Sequence, residues 1–390
     1  MNRFSQALRA LVLAAVAPFY LASAQAQAPT PPEIAARSYL VLDVTANQTL
    51  AQKDIDTQIE PASLTKLMTA YLVFDALKAR KITLTQTLPV GERASKIAGS
   101  RMFIDSKMQV PVDDLIKGMI VQSGNDATDV LAQGVGGTVD RFVQMMNDQA
   151  RALGMKNTSF KNPQGLPEPG HVSTARDLGV LATRLIRDFP EELRYFATKK
   201  YRYPGTPSTN DTNHNTLLFR DPTVDGLMAG HTDAAGYGLV ATARRDFPNL
   251  TGGRRLVGIV LGTSNENARA NEAQKLLNWG FTAYDDVRLF DAAQPVATPR
   301  VWKGKSDVLK LGRFEPIVVA VPSGTASKIT TQVARPDPLV APFTKNQSVG
   351  SLKVMLGDQK VADLPLVALE PVEQAGVLGR TWDAVRLWIK

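Results

Sequence analysis

The 390-residue sequence contains no cysteine. That excludes disulfide frameworks, thiolate zinc sites and thiol nucleophiles. Histidine is scarce too: the chain has 3, and His171, His214 and His231 stand at no metal-ligand spacing. A zinc hydrolase therefore lacks support, and no cofactor is expected. Internal repeats, low-complexity tracts and compact basic runs are absent as well. The net charge of +8 fits a mild attraction to anionic lipid or wall polymer better than dedicated nucleic-acid binding.

Long apolar runs are also missing. The longest candidate, Ala10 to Ala22, is interrupted by Pro18 and is too short to span a bilayer. It follows a short basic segment carrying Arg3 and Arg9. Small residues come next, and Ala22-Ser23-Ala24, Ala24-Gln25-Ala26 and Ala26-Gln27-Ala28 each fit a cleavage site. Residues 1–26 are read as a secretory signal peptide, cleaved after 24, 26 or 28. Removing the first 26 residues leaves a chain of charge +6.

What remains is ordinary globular composition, 44% hydrophobic and 21% charged, in a length that favours two domains over one. Ser38 to Asp43 and Thr49 to Gln52 read as strands. Helical patterns follow from Ser63, over Val112 to Ile120, Asp126 to Ala132, Val139 to Leu153 and Asp177 to Arg187. Val224 to Gly230 reads as a glycine-containing strand, with His231 to Gly236 as its turn. Tyr237 to Ala243 and Arg255 to Leu261 are apolar enough to be central strands. Asn267 to Phe281 is a helix. After Tyr284 helical periodicity gives way to short strands until Val377 to Lys390, where Leu378, Trp382, Val385 and Ile389 share one helical stripe.

Two stretches carry chemistry. In Pro61-Ala62-Ser63-Leu64-Thr65-Lys66, a serine and a lysine three apart fall on one helix face. Pro61 suits a helix start, so Ser63 is expected in the first turn, where the dipole favours a developing oxyanion. The apolar pattern behind it would pull Lys66 into the core. Desolvation lowers a lysine's pKa and lets it take the serine proton. Taken alone, the four residues also fit a serine cap and a surface lysine. The second stretch, Ser123-Gly124-Asn125, lies between two helices. It either makes a tight turn at Gly124 with an Asn125 cap, or holds a hydroxyl and a carboxamide at a cleft rim.

Together with a strand ending in Gly230 before His231-Thr232, these motifs stand in the order and spacing of penicillin-recognising serine enzymes. The sequence resembles the low-molecular-weight penicillin-binding proteins, the serine D-alanyl-D-alanine carboxypeptidases, over nearly the whole mature chain. The resemblance implies an α/β (α+β) transpeptidase-like domain over 29–284, a central antiparallel sheet flanked by helices. A small all-β domain over 285–375 and a terminal amphipathic helix over 376–390 would follow. It implies Ser63 as nucleophile, Lys66 as its base and Ser123 as proton shuttle. Asn125 would hold the substrate amide, and the backbone N–H groups of Ser63 and His231 the oxyanion. The implied partners are the peptidoglycan stem peptide, β-lactam antibiotics and, through the terminal helix, the outer face of the inner membrane. The implied location is the periplasm.

One motif departs from the family. Met228-Ala229-Gly230 stands where the family has Lys-Thr-Gly, whose lysine and threonine bind the terminal carboxylate. Removing one partner of a buried ion pair costs roughly 3–5 kcal/mol, enough to lower turnover on the order of a hundredfold or more. His214, Arg244, Arg245, Arg254 and Arg255 are candidates to fill the gap, though strand-end arginines are ordinarily solvated. Glu168 reads as a solvated loop acid. Two further readings stay open: a slow or non-catalytic wall-binding protein, and a β-lactamase, which the extra β domain disfavours.

Overall fold

The structure, a computed structural model, describes residues 28–248 and 250–388. The signal peptide expected over residues 1–26 lies outside them. Strands β1 (Ser38–Asp43) and β2 (Gln48–Lys53) form a hairpin. The chain then enters a helical layer: α1 (Lys66–Lys78), α2 (Val112–Val121), α3 (Asn125–Gly136), α4 (Val139–Leu153) and α5 (Ala175–Asp188). It returns as β3 (Val224–Thr232), β4 (Gly236–Phe247) and β5 (Leu250–Thr263), followed by α6 (Glu266–Ala283). The sheet order is β2-β1-β5-β4-β3, with every pair antiparallel.

The sheet is buried on both faces, as its apolar strands require. Along β5, Val257, Ile259 and Leu261 join the core of the helical layer, while Leu256 and Val260 join the core beneath α6. That alternation is the two-residue period of a strand. The same period sorts the residues of β3. Met228 enters the helical core and Ala229 the α6 core.

Beyond α6, β6 (Tyr284–Phe290) pairs with β7 (Ile317–Pro322). A further five-stranded sheet includes Ile329–Ala334, Ser348–Leu356 and Gln359–Ala368. Its core of Leu311, Val319, Leu352, Val354 and Leu366 is separate from the other two. The transpeptidase-like α/β layout and the β-rich C-terminal region agree with the expected fold class.

The two regions meet around Arg254, which is fully buried. Its Nε lies 2.8 Å from Asp43 on β1 and 2.9 Å from Asp286 on β6, and its Nη1 donates to the Tyr284 carbonyl at 2.6 Å. Gln48 adds a second link, bonding both backbone groups of Ala320 on β7.

Three local expectations change. The Ser63 segment is not the first turn of an α-helix but a 3₁₀ turn, Ala62–Thr65, with α1 starting at Lys66. A three-residue turn eclipses positions i and i+3, which suits the Ser63–Lys66 pair better than α geometry. At the second motif Ser123, not Gly124, takes the left-handed conformation, with φ 53°. Asn125 does not cap α3 with its side chain. His231 and Thr232 belong to β3, so the turn is shorter than expected.

Candidate active site

Ser63 projects from the 3₁₀ turn, half-buried, at the meeting of sheet and helical layer. The turn is held from several sides. Gly230 on β3 packs so tightly that an added β-carbon would sit 3.2 Å from Leu64 N and from the Pro61 carbonyl. Behind the turn, the buried hydroxyl of Thr65 shares a 2.9 Å hydrogen bond with His171 Nε2. One turn on, Thr69 donates to the Pro163 carbonyl at 2.8 Å. The loop after α4 is thus bonded directly to the segment that carries the serine.

Lys66 is completely buried, pulled in by Leu67, Met68 and Ala70 around it. Its Nζ donates to Ser63 Oγ at 2.9 Å and to the Gln164 carbonyl at 2.8 Å. Burial depresses its pKa to about 7, with the buried carboxylate of Asp126 pulling weakly the other way. At neutral pH a sizeable fraction is therefore free amine, the form that accepts a proton. Ser123 Oγ donates to Ser63 Oγ at 2.9 Å. The structure thus brings Ser63, Lys66 and Ser123 into one hydrogen-bonded group. Asn125 lies at its edge, with Nδ2 bonded to the Ala98 carbonyl and its backbone N–H to Ser100.

Asp126 braces that edge. It has no exposed surface and accepts from the backbone N–H groups of Met102, Phe103 and Ile104. Asp129 accepts from Gln164 Nε2 at 2.9 Å, fixing the residue whose carbonyl receives Lys66. Glu168 is exposed and accepts from Asn162 at 3.2 Å, as expected of a loop acid.

The third motif behaves differently. Met228 is only 2% exposed and contributes to the apolar core, so no charge is present there. His231 is exposed and stacks on Tyr237, with ring centroids 3.9 Å apart. Three of the four strand arginines are already engaged. Arg245 pairs with Asp221 at 3.0 Å, Arg255 with Asp225 at 2.7 Å, and Arg254 is locked at the junction. The expectation of solvated strand-end charges thus fails, because acids on neighbouring strands and loops reach them.

The cation that sequence reasoning missed is Arg269 on α6. Its Cζ lies 5.7 Å from the Tyr237 ring centre, and its Nη2 donates to the His214 carbonyl at 2.9 Å and to Glu266 at 2.8 Å. Nothing in its helical context marked it, since it comes from a segment remote from all three motifs. Gln164, Asp126 and His171 were equally unmarked; their roles depend on contacts between distant segments.

Residues 25–265 match the D-alanyl-D-alanine carboxypeptidase family, and residues 284–374 match the C-terminal domain of penicillin-binding protein 5. The chain belongs to the D-alanyl-D-alanine carboxypeptidase family. It is 37% identical to the D-alanyl-D-alanine carboxypeptidase DacC of Escherichia coli K12, covering 99% of this chain and 97% of that one. Among solved structures, penicillin-binding protein 5 from Haemophilus influenzae superposes with a TM-score of 0.83 at 35% identity, over 89% of this chain and all of that one. Penicillin-binding protein D2 of Listeria monocytogenes, solved in an ampicillin-bound form, matches 65% of this chain with a TM-score of 0.58 at 31% identity. As a member of this family of serine-type carboxypeptidases, the chain presents a serine, Ser63, bonded on one side by Lys66 and on the other by Ser123.

Proposed function

We propose that this protein removes the terminal D-alanine from peptidoglycan stem pentapeptides through an acyl-enzyme on Ser63. The observation that carries the reading is the contact chain Lys66 Nζ–Ser63 Oγ–Ser123 Oγ, each link 2.9 Å, around a lysine depressed to about 7. The Lys66 amine takes the hydroxyl proton as Ser63 Oγ bonds to the carbonyl carbon of the penultimate D-alanine. The backbone N–H groups of Ser63 and His231 receive the oxyanion. The C–N bond then breaks, and Ser123 passes a proton to the departing D-alanine amine. Asn125 holds the peptide amide, and water hydrolyses the ester. β-Lactams would acylate the same Ser63 oxygen.

The terminal carboxylate meets a reduced clamp. Met228 offers no charge and Ala229 no hydroxyl, which leaves Gly230 as backbone and Arg269 as the cation beside the end of β3. Turnover is accordingly lower than a lysine-threonine clamp would allow. A second reading, a slow or non-catalytic wall-binding protein, is favoured by the burial of Met228 in the apolar core. We place the mature chain in the periplasm, with a catalytic domain over 29–284, a β domain over 285–375 and an interfacial helix over 376–390. The signal peptide would be cleaved after 24, 26 or 28.

The test is release of D-alanine from diacetyl-Lys-D-Ala-D-Ala by purified protein, with Ser63→Ala as control. Release that depends on Ser63 supports the carboxypeptidase reading. Covalent labelling of Ser63 by penicillin without release selects the second reading. Labelling at another residue removes Ser63 as the nucleophile.

A further inference from the structure

We propose that Asp129 is a positioning residue for the general base: through Gln164 it aims the Lys66 amine at Ser63. The inference rests on the first step of the reading above, acylation of Ser63 with Lys66 as base, and concerns what holds that base in line.

Lys66 Nζ meets two oxygens, Ser63 Oγ at 2.9 Å and the Gln164 carbonyl at 2.8 Å. A neutral amine has two N–H bonds and one lone pair. With one N–H committed to the Gln164 carbonyl, the lone pair can face the Ser63 hydroxyl; without that anchor the amine rotates freely. Once the proton has moved, the same carbonyl accepts a charge-assisted bond from the ammonium. The loop around Gln164 is braced on both sides. The Pro163 carbonyl accepts from Thr69, and Asn162 Oδ1 accepts from the N–H groups of Gly165 and Leu166. Gln164 is held by its own side chain, whose Nε2 donates to Asp129 Oδ1 at 2.9 Å with both residues buried.

Stability alone does not account for that contact. A carboxylate only accepts, so the amide turns Nε2 to Asp129 and leaves Gln164 Oε1 buried without a partner among the described residues. Asp129 is itself a charge with no exposed surface. Both features are destabilising, and such local costs persist where they hold a working geometry. The acid is balanced from the surface. Gln133, one turn on along α3, donates to Asp129 Oδ2 at 2.7 Å, and Arg93 Nε, from the short helix Glu92–Lys96, lies 3.2 Å from Oδ1. Arg93 and Gln133 both line an open surface cavity. A continuous line thus runs Arg93–Asp129–Gln164–Lys66, from solvent to the base. Beyond burial, the carboxylate that acts on the Lys66 charge is Asp126, also on α3, and His214, ahead of β3, lies within reach of that charge. Asp129 acts on Lys66 by placing the Gln164 carbonyl, not by its charge.

The experiment follows acylation of Ser63 in the mature protein by labelled penicillin, from about pH 5 to about pH 9, on either side of the Lys66 value of about 7. In Asp129→Ala the amine loses its aim, and the plateau rate should fall about tenfold or more. The ammonium also loses a firmly held acceptor, which disfavours the charged form. The acid limb should therefore move to lower pH, by up to about one unit. Asp129→Asn keeps an oxygen for Gln164 Nε2, so its limb should stay near 7 with most of the rate. Gln164→Ala should reproduce Asp129→Ala without removing a charge, and it carries the test alone if the Asp129→Ala protein does not fold. The double variant should be no slower than either single one, as expected of residues acting in one line. A lower plateau with the limb unmoved in both alanine variants makes Asp129 merely structural and overturns the proposal. A limb that shifts equally in Asp129→Asn assigns the effect to charge and overturns it too, as do additive losses in the double variant. Failure of the parent protein to be labelled at Ser63 removes the reading above and this inference with it. A labelled parent with variants indistinguishable from it removes the inference alone.

Discussion

Gly165 and Ala62 approach so closely that a β-carbon on Gly165 would stand 1.7 Å from the Ala62 carbonyl oxygen. Both residues have positive φ, 87° and 48°. The loop after α4 therefore presses backbone to backbone on the turn that carries Ser63, and only glycine fits there. In Gly165→Ala the turn must move. A misplacement of about 1 Å can cost on the order of a hundredfold in rate, so acylation of Ser63 by labelled penicillin should slow at least tenfold by that scale. Melting curves check that the variant is folded. A folded variant with unchanged acylation would show that the loop does not position the nucleophile.

The pH profile of acylation follows from Lys66. The amine is the active form, and burial holds its pKa near 7 against an ordinary 10.5. Acylation by penicillin should rise with pH and level off above about 7. Lys66→Gln, which stays polar but is one bond shorter and accepts no proton, should cost roughly a hundredfold or more. A rate already flat from acid pH upward would assign proton removal to another group.

If the third motif limits turnover, its restoration should be measurable. Met228→Lys combined with Ala229→Thr should raise carboxypeptidase efficiency by about tenfold, equivalent to roughly 1.4 kcal/mol of transition-state stabilisation. The assay is kcat/KM for D-alanine release. An unchanged value means another cation, Arg269 foremost, already holds the carboxylate adequately.

The sequence made much of this site legible because its core is local. Ser63 and Lys66 are three residues apart, and one eclipsed turn brings them into contact. Ser123 and Asn125 flank a single glycine between two helices. The burial of Lys66 followed from the apolar residues that surround it in sequence. What stayed hidden depends on long-range closure. Gln164 receives Lys66 across 98 residues, Thr65 meets His171 across 106, and Arg269 reaches the His214 carbonyl across 55. None of these has a periodic signature. The arginines of β4 and β5 were misjudged for a related reason. A charged residue near a strand end looks solvated until a neighbouring acid is known, and Arg254 is instead enclosed by Asp43, Asp286, Phe247 and Phe281.

That enclosure should make stability depend on pH. Burial, and next the nearby Asp43 carboxylate, raise the pKa of Asp286 from 3.8 to about 8, despite Arg254. The folded value lies above the unfolded one. The contribution of the protonated form is therefore fully present below about 4 and is lost as pH rises to about 8. Asp286→Asn removes this titration while Arg254 keeps Asp43 as its partner. Its melting temperature should fall less than the parent's between acid and alkaline pH. At about pH 9 it should equal or exceed the parent by roughly 1 kcal/mol or more, about 2 °C or more in a chain of this size. Parallel pH–stability curves for the two proteins would show that Asp286 is ionised throughout.

The terminal helix α7 (Val377–Trp388) gives the last prediction. Val377, Trp382 and Trp388 expose 69%, 65% and 88% of their surface, while Asp383 on the same helix accepts from Lys303 N at 2.6 Å. The acid ties the helix to the β-rich region and leaves these apolar side chains outward. The side chains of Leu378, Val385 and Ile389, which complete the expected stripe, lie outside the described residues. Among the described residues no helix is long and apolar enough to cross a membrane. A short helix with outward tryptophans and with Arg380 and Arg386 against one acid suits the interface of an anionic bilayer. Each basic residue near such a surface contributes about 1 kcal/mol, and the attraction falls off within a Debye length. The mature chain should therefore co-sediment with vesicles containing phosphatidylglycerol, weakly and less at high salt. Deletion of residues 376–390 should abolish sedimentation while leaving penicillin labelling of Ser63 intact. Equal sedimentation of both forms would move the membrane contact elsewhere, and sedimentation of neither would remove it.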